Sequence, residues 1–262
     1  MIKESQKLTA DHFNANAPQW RDLYTRTDVY ARMYQHRRDI VLKFVDSLPL
    51  SGGESALEVG CGPGLTTVAL RRRGYAVIAL DAAPAMIKLT QQLASESGVT
   101  VGTVVGDTCG LPFVDRAFKL VVAVGVTEWV GDLEVAIGEL ARVVAADGHL
   151  IVTTDSRWAL YRLIDPVLNP VLDPIKRLLR RSERKPRPTV YSLRHFNAAL
   201  KRAGLHRIAG VTVGFGPFSV LKFPLFPDSL AIRVHEKLQR VADGGALLLR
   251  AGGHVYAVIA RR

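Results

Sequence analysis

Ser55-Ala56-Leu57-Glu58-Val59-Gly60-Cys61-Gly62-Pro63-Gly64-Leu65 decides how the rest of the chain is read. Ala56–Val59 is a short apolar strand candidate, and the glycine-rich corner after it opens a helix candidate at Thr66–Arg73. Glycine lets the backbone turn tightly and approach a ligand that a β-carbon would exclude. A helix start behind such a corner offers N–H groups that no carbonyl of the helix uses. A lone glycine loop is weak evidence, but between strand and helix it points to a nucleotide-type site.

Outward from this corner, apolar runs at Ala76–Leu80, Val101–Val105, Leu120–Val124 and Leu150–Thr153 alternate with helix candidates at Ala83–Ser97 and Leu133–Ala145. Strands apolar on both faces and separated by helices imply a parallel sheet covered on both sides. Leu205–Val213 and His254–Ala260 bring the strands to seven, with a helix at Ser192–Ala203 before them. The expected fold is α/β: a doubly wound, mostly parallel seven-stranded sheet with helices on both faces. The second strand ends at Asp81, 21 residues after Gly60, and the third at Gly106-Asp107. A carboxylate at Asp81 suits a ribose diol at the carboxyl edge of the sheet. Each acid has a capping alternative, Asp81 beside Ala82-Ala83-Pro84 in particular. Capping alone does not explain such residues at three successive strand ends.

The flanks read differently. Residues 1–50 form a helical N-terminal cap rich in aromatics, among them Phe13, Trp20, Tyr24, Tyr30 and Tyr34; residues 51–156 form the ligand-binding core. Residues 157–190 break the alternation as a basic helical insertion with five prolines, expected to roof the pocket, and residues 191–262 complete the sheet.

With 48% apolar residues among 262, wholesale disorder is excluded. The net charge of +11 favours anionic partners and says nothing about fold. Cys61 and Cys109 are the only cysteines, so there is no disulfide framework, and no metal site is expected. No run approaches the roughly 18 apolar residues of a membrane span, and the first residues lack a secretion signal. The reading is cytoplasmic, with peripheral membrane contact left open by the basic insertion.

Glu58-Val59-Gly60-Cys61-Gly62-Pro63-Gly64 resembles the first motif of class I S-adenosylmethionine-dependent methyltransferases. Val77–Ile87 resembles the second motif, Val105-Gly106-Asp107 with Leu111-Pro112-Phe113 the third, and Phe118–Val122 through Trp129 the fourth. Glu139–Gly148 leads into the fifth strand, and the whole is most similar to the small-molecule group called methyltransferase type 11. Two departures stand out: Lys119 where that family usually has an acid, and Trp129 where many members carry histidine.

The resemblance implies S-adenosylmethionine as cofactor. Glu58, Gly60, Cys61, Gly62 and Gly64 would hold its methionine part and Asp81 its ribose. Gly106 and Asp107 would meet the adenine, Ala82, Met86 and Thr108 would line the adenine slot, and Val124 would back the sulfonium. An arginine before the first motif sometimes takes the cofactor carboxylate; Arg38 is assigned that role, with Arg37 as its near equal. Base candidates are Glu128, Tyr191 and His195, with Asp155 weighed beside them. Trp20, Tyr24, Tyr34, Trp129, Trp158 and Tyr161 would line the acceptor pocket.

The expected reaction is methyl transfer to a hydrophobic or aromatic small molecule, such as a secondary metabolite or quinone precursor. A lipid-headgroup methyltransferase at a membrane surface is the rival within enzymes. A cofactor-binding regulator without catalysis and a nicotinamide dehydrogenase are the readings from other classes. Nucleic acid is disfavoured, because Gly125-Val126-Thr127-Glu128 stands where DNA amino-methylating enzymes carry Asn- or Asp-Pro-Pro-aromatic. The sequence leaves the oligomeric state open.

Overall fold

The computed structural model describes residues 2–172, 186, 188–221, 223–244, 249 and 251–262, with side chains from Gln6 onward. Three helices come first: α1 (Ile2–Ala15), α2 (Ala17–Leu23) and α3 (Val29–Asp46). The alternating core follows as β1 (Ser55–Val59), α4 (Leu65–Arg72), β2 (Ala76–Asp81), α5 (Pro84–Glu96), β3 (Gly102–Val105), β4 (Phe118–Ala123), α6 (Leu133–Val143) and β5 (Val144–Asp155). The remainder is α7 (Leu160–Ile164), α8 (Leu193–Arg202), β6 (His206–Val213), the two-residue strands β7 (Ser219–Val220) and β8 (Phe223–Pro224), α9 (Asp228–Asp243) and β9 (Val255–Arg261).

Seven strands form one sheet in the order β3-β2-β1-β4-β5-β9-β6. All neighbours are parallel except β9, which runs antiparallel between β5 and β6. Alternation along the strands divides the core. Leu57, Val59, Val121 and Ala123 pack with Ile137, Leu140, Phe196 and Leu200 of α6 and α8. Ala56, Leu120 and Val122 pack with Val41, Val45 and Leu70 of α3 and α4. Each large apolar side chain so buried contributes on the order of 1.5–3 kcal/mol. Strand order reverses between β1 and β4, and the crevice at their carboxyl ends is where this architecture takes ligands.

Side-chain caps fix several helix starts. Asp132 accepts the N–H groups of Glu134 and Val135, Asp28 that of Ala31, and Ser192 that of His195. The β7–β8 hairpin and α9 were not expected from the sequence. The basic stretch Ile175–Arg181 lies outside the described residues.

Candidate active site

A cavity of about 340 Å³ opens at the carboxyl ends of β1 to β4 under the N-terminal helices. The glycine corner forms its floor. Gly60, Gly62 and Gly64 have φ of +69°, +54° and +87°, a left-handed region that side chains disfavour. Their surroundings differ. A β-carbon on Gly60 would stand 2.3 Å from Val126 Cγ2, and one on Gly64 2.8 Å from Thr90 Cα. A β-carbon on Gly62 would meet no protein atom within 4 Å, and Gly62 is part of the cavity lining. Gly64 is therefore bare for helix packing and does not line the cavity, whereas Gly62 leaves room for a ligand.

Asp81 links this floor to the next helix. Its Oδ2 accepts the Gly62 N–H and its Oδ1 the Ala83 N–H, each at 2.9 Å. Burial pushes its carboxyl above the ordinary range, against these backbone donors. Asp107 caps its own turn by accepting the Cys109 N–H at 3.0 Å, and also lines the cavity. Both acids thus take the capping role while also lining the cavity, where a carboxylate oxygen has a further lone pair to offer.

Two further carboxyls are buried in the wall. Glu58 accepts a hydrogen bond from Thr67 Oγ1, and burial pushes it up to about 8. Glu128 is likewise pushed up to about 8, first by burial and then by the negative charge of Asp155, with Arg37 opposing. Arg37 is 7% exposed, lies 4.4 Å over the Tyr34 ring and lines the cavity. Although burial works against its charge, Tyr24, Tyr34 and Glu128 hold it firmly protonated. Its Nε is buried with no hydrogen-bond partner among the described residues.

Behind Arg37, Asp155 Oδ2 meets His254 Nε2 at 3.2 Å and Arg162 Nη2 at 3.3 Å. Burial pushes Asp155 up, but His254, Arg162 and Arg37 outweigh it and hold the carboxyl below its ordinary range. The roof is aromatic. Phe13 lies 5.6 Å from Trp20 and 5.1 Å from Trp129, and Trp20 lies 5.7 Å from Tyr34.

Of the residues expected from the sequence, Glu58, Gly60, Cys61, Gly62, Asp81, Ala82, Met86, Gly106, Asp107, Thr108 and Val124 line this one cavity, as do Glu128, Trp20, Tyr24, Tyr34 and Trp129. Others fall elsewhere. Arg38 does not line the cavity: it is partly exposed beside Asp39, with its guanidinium 5.8 Å from the Tyr24 ring, and Arg37 takes the wall position. His195 is exposed at the start of α8, stacked on Tyr191, and neither ring lines the cavity. Trp158 is exposed, and Tyr161 is turned onto His254 behind Arg37, so neither joins the acceptor side. The described part of 157–190 supplies no cavity wall, and the roof comes from α1 to α3 and Trp129.

Lys7 and Phe13 were missed as wall residues, and Arg37 was ranked just behind Arg38. For Arg37 a signal existed: Val29, Met33, Arg37, Val41 and Val45, each four residues apart, all face inward from α3.

The sheet order and glycine corner define the class I, Rossmann-like methyltransferase fold. Residues 57–152 match a family model described as a methyltransferase domain. Malonyl-[acyl-carrier protein] O-methyltransferase of Serratia marcescens is 33% identical over 113 residues, 43% of each protein. Ubiquinone biosynthesis O-methyltransferase of Azorhizobium caulinodans is 33% identical over 105 residues, 40% of this chain and 42% of the relative. The chain thus spans under half the length of these curated relatives. The solved magnesium protoporphyrin IX methyltransferase of Synechocystis, with S-adenosylhomocysteine bound, superposes with a TM-score of 0.66 over 98% of this chain and 99% of that one. It shares 17% identity, a likeness of fold.

Proposed function

We propose that this protein transfers a methyl group from S-adenosylmethionine to a nucleophilic atom of a small hydrophobic or aromatic acceptor. The observation that carries the reading is that one continuous cavity joins the Gly62–Asp81 floor to the Phe13, Trp20, Tyr34 and Trp129 roof. The floor fits the cofactor: Gly62 leaves space, Asp81 and Asp107 stand at two successive strand ends, and Arg37 has an unused buried donor for a carboxylate. When bound, the cofactor supplies an electrophilic methyl on a sulfonium.

The chain's own residues then have three tasks. The aromatic roof excludes water and orients a flat or apolar acceptor. Arg37 favours an anionic oxygen near it. Glu128, pushed up to about 8, is placed to take a proton from a phenol, enol or amine, as a general base near working pH. Relatives named for malonyl-acyl carrier protein and ubiquinone biosynthesis support a small acceptor. The quinone-precursor class fits the aromatic roof better.

Calorimetry with S-adenosylhomocysteine against NADH tests the cofactor, and NADH preference overturns the reading. Labelled-methyl transfer to a panel of phenols, quinols and apolar acids then tests the reaction. Tight cofactor binding with background transfer across such a panel and cell extracts marks a regulator instead.

A further inference from the structure

We propose that Asp155 is a positioning residue: it keeps the negative charge of a buried carboxyl pair behind Arg37, so that the pair's proton rests on Glu128 at the cavity. Its consequence for catalysis rests on the reading of Glu128 as the group that takes the acceptor's proton.

The fold brings the two acids together. Strands β4 and β5 are parallel neighbours, with Ala123 opposite Val152. Past the end of β4, the Gly125 N–H donates to Thr153 Oγ1 at 2.8 Å and Thr127 Oγ1 donates to the Thr153 carbonyl at 2.9 Å. The loop that carries Glu128 is thereby tied to the strand that ends at Asp155. Both acids are buried, Glu128 at 4% and Asp155 at 8% exposure. Arg37 stands at the boundary between them. It lines the main cavity with Glu128 and a small rear chamber with Asp155 and His254, and Asp155 does not line the main cavity. Its guanidinium is seated against the Tyr34 ring at 4.4 Å and against Gly125, where a β-carbon would stand 2.8 Å from Nη1.

The partners of the two acids are unequal. Asp155 Oδ2 has two donors, His254 Nε2 at 3.2 Å and Arg162 Nη2 at 3.3 Å. His254 is itself pinned, its N–H donating to the Gly214 carbonyl and its carbonyl accepting from the Ser156 N–H. Glu128 makes no ion pair among the described residues. The Thr127 hydroxyl lies 3.4 Å from Glu128 Oε2 but gives its single proton to the Thr153 carbonyl, so a hydrogen bond between them favours a proton on Glu128. In a buried pair the carboxyl with cationic partners ionises and the other keeps the proton. Burial lifts Asp155, but His254, Arg162 and Arg37 outweigh it and hold the carboxyl low. Burial lifts Glu128 too, and there the charge of Asp155 adds to it against Arg37. Tyr191 also faces Glu128, and Tyr34 and Tyr161 face Asp155. Burial pushes all three hydroxyls up, so they add no charge near neutral pH.

The test follows both carboxyls by carbon-13 NMR titration of the full chain, labelled at glutamate Cδ and aspartate Cγ. Glu128 is identified by the signal lost in Glu128→Gln, and Asp155 by correlation to its own backbone. In the parent, Glu128 should hold its proton at neutral pH while Asp155 stays ionised well into the acid range. Asp155→Asn keeps the shape and removes the charge, and should move the Glu128 midpoint down by about one pH unit, tenfold in proton affinity. The limb of methyl transfer that rises with pH should move down with it. A Glu128 midpoint in the ordinary carboxyl range in the parent overturns the proposal. So does an Asp155→Asn protein that loses thermal stability and transfer rate at every pH with the Glu128 midpoint unmoved, the mark of a merely structural role. If Asp155→Asn fails to fold, the parent decides: an Asp155 signal that takes up its proton at higher pH than Glu128 overturns the assignment, and the reverse order supports it. The titrations need no methyl acceptor. Background transfer with both midpoints as expected therefore supports the role of Asp155 and overturns the methyl-transfer reading instead.

Discussion

Asp81 and Gly62 are locked together, the Asp81 carboxylate accepting the loop N–H at 2.9 Å while its other oxygen holds the start of α5. Replacing Asp81 by Ala strands two N–H donors and removes the acid assigned to the ribose. Cofactor affinity should fall by roughly 1.5–3 kcal/mol, the scale of hydrogen bonds to a charged group. Asp81→Asn keeps one acceptor oxygen and should recover part of the lost stability but little of the affinity. Calorimetry with S-adenosylhomocysteine and urea unfolding separate the two effects. Unchanged affinity in the Ala variant removes the ribose role.

The three glycines of the corner should respond differently. Gly60→Ala pushes a methyl into Val126 and Gly64→Ala pushes one into the α5 backbone, so both should destabilise the fold by about 2 kcal/mol or more. Gly62→Val places its side chain in open space on the cavity side, so it should cost only about 1–2 kcal/mol for its positive φ. It should nevertheless abolish cofactor binding sterically. Thermal melts paired with calorimetry test this contrast, and full affinity in Gly62→Val contradicts a close backbone approach.

Arg37 and Arg38 offer a second contrast. Arg37→Met removes a buried cation facing Glu128 and Asp155 and should cost on the order of 3 kcal/mol of stability, with cofactor or acceptor affinity falling as well. Arg38→Ala, at a partly exposed site beside Asp39, should change either quantity by about 0.5 kcal/mol or less. Equal losses from the two variants would contradict the placement of Arg37 on the wall.

Buried carboxyls give stability a pH dependence of defined sign. Glu58 and Glu128 hold their protons up to about 8 when folded, against an ordinary 4.5 when unfolded. Between these values the unfolded chain binds fewer protons, so their contribution is fully present below about 4.5 and is lost as pH rises towards about 8. Each group contributes a slope of up to ~1.4 kcal/mol per pH unit. Glu58→Gln keeps an acceptor for Thr67 and should remove one share of this slope in urea titrations across that range. Glu128→Gln should also remove the limb of methyl transfer that rises with pH through about 8. An unchanged slope in Glu58→Gln places that carboxyl in its ordinary ionised state.

The sheet was legible because its strands are apolar on both faces, and glycine and acidic residues mark their carboxyl ends. By contrast, α9 was hidden because its buried positions Ala231, His235 and Gln239 are small or polar, while Leu230 and Val241 face outward. His235 and Gln239 serve as hydrogen-bond partners to the backbone of Phe215 and Gly214, a clasp that hydropathy does not register. The choice of Trp158 and Tyr161 failed for a related reason: aromatic content identifies rings but not the surface they cover. Tyr161 is consumed by His254, whereas Phe13 and Trp20 on α1 and α2 close the site.

The floor of the cavity falls within residues 57–152, whereas the roof, Trp129 apart, comes from the three helices that precede that span. Under the proposed function, kinship in that span speaks to the methyl donor, while the choice of recipient would rest mainly on the first fifty residues. Such a division lets an ancestral donor site be kept while its clientele is exchanged. The economical route to a new recipient is to graft the three leading helices and leave the sheet untouched.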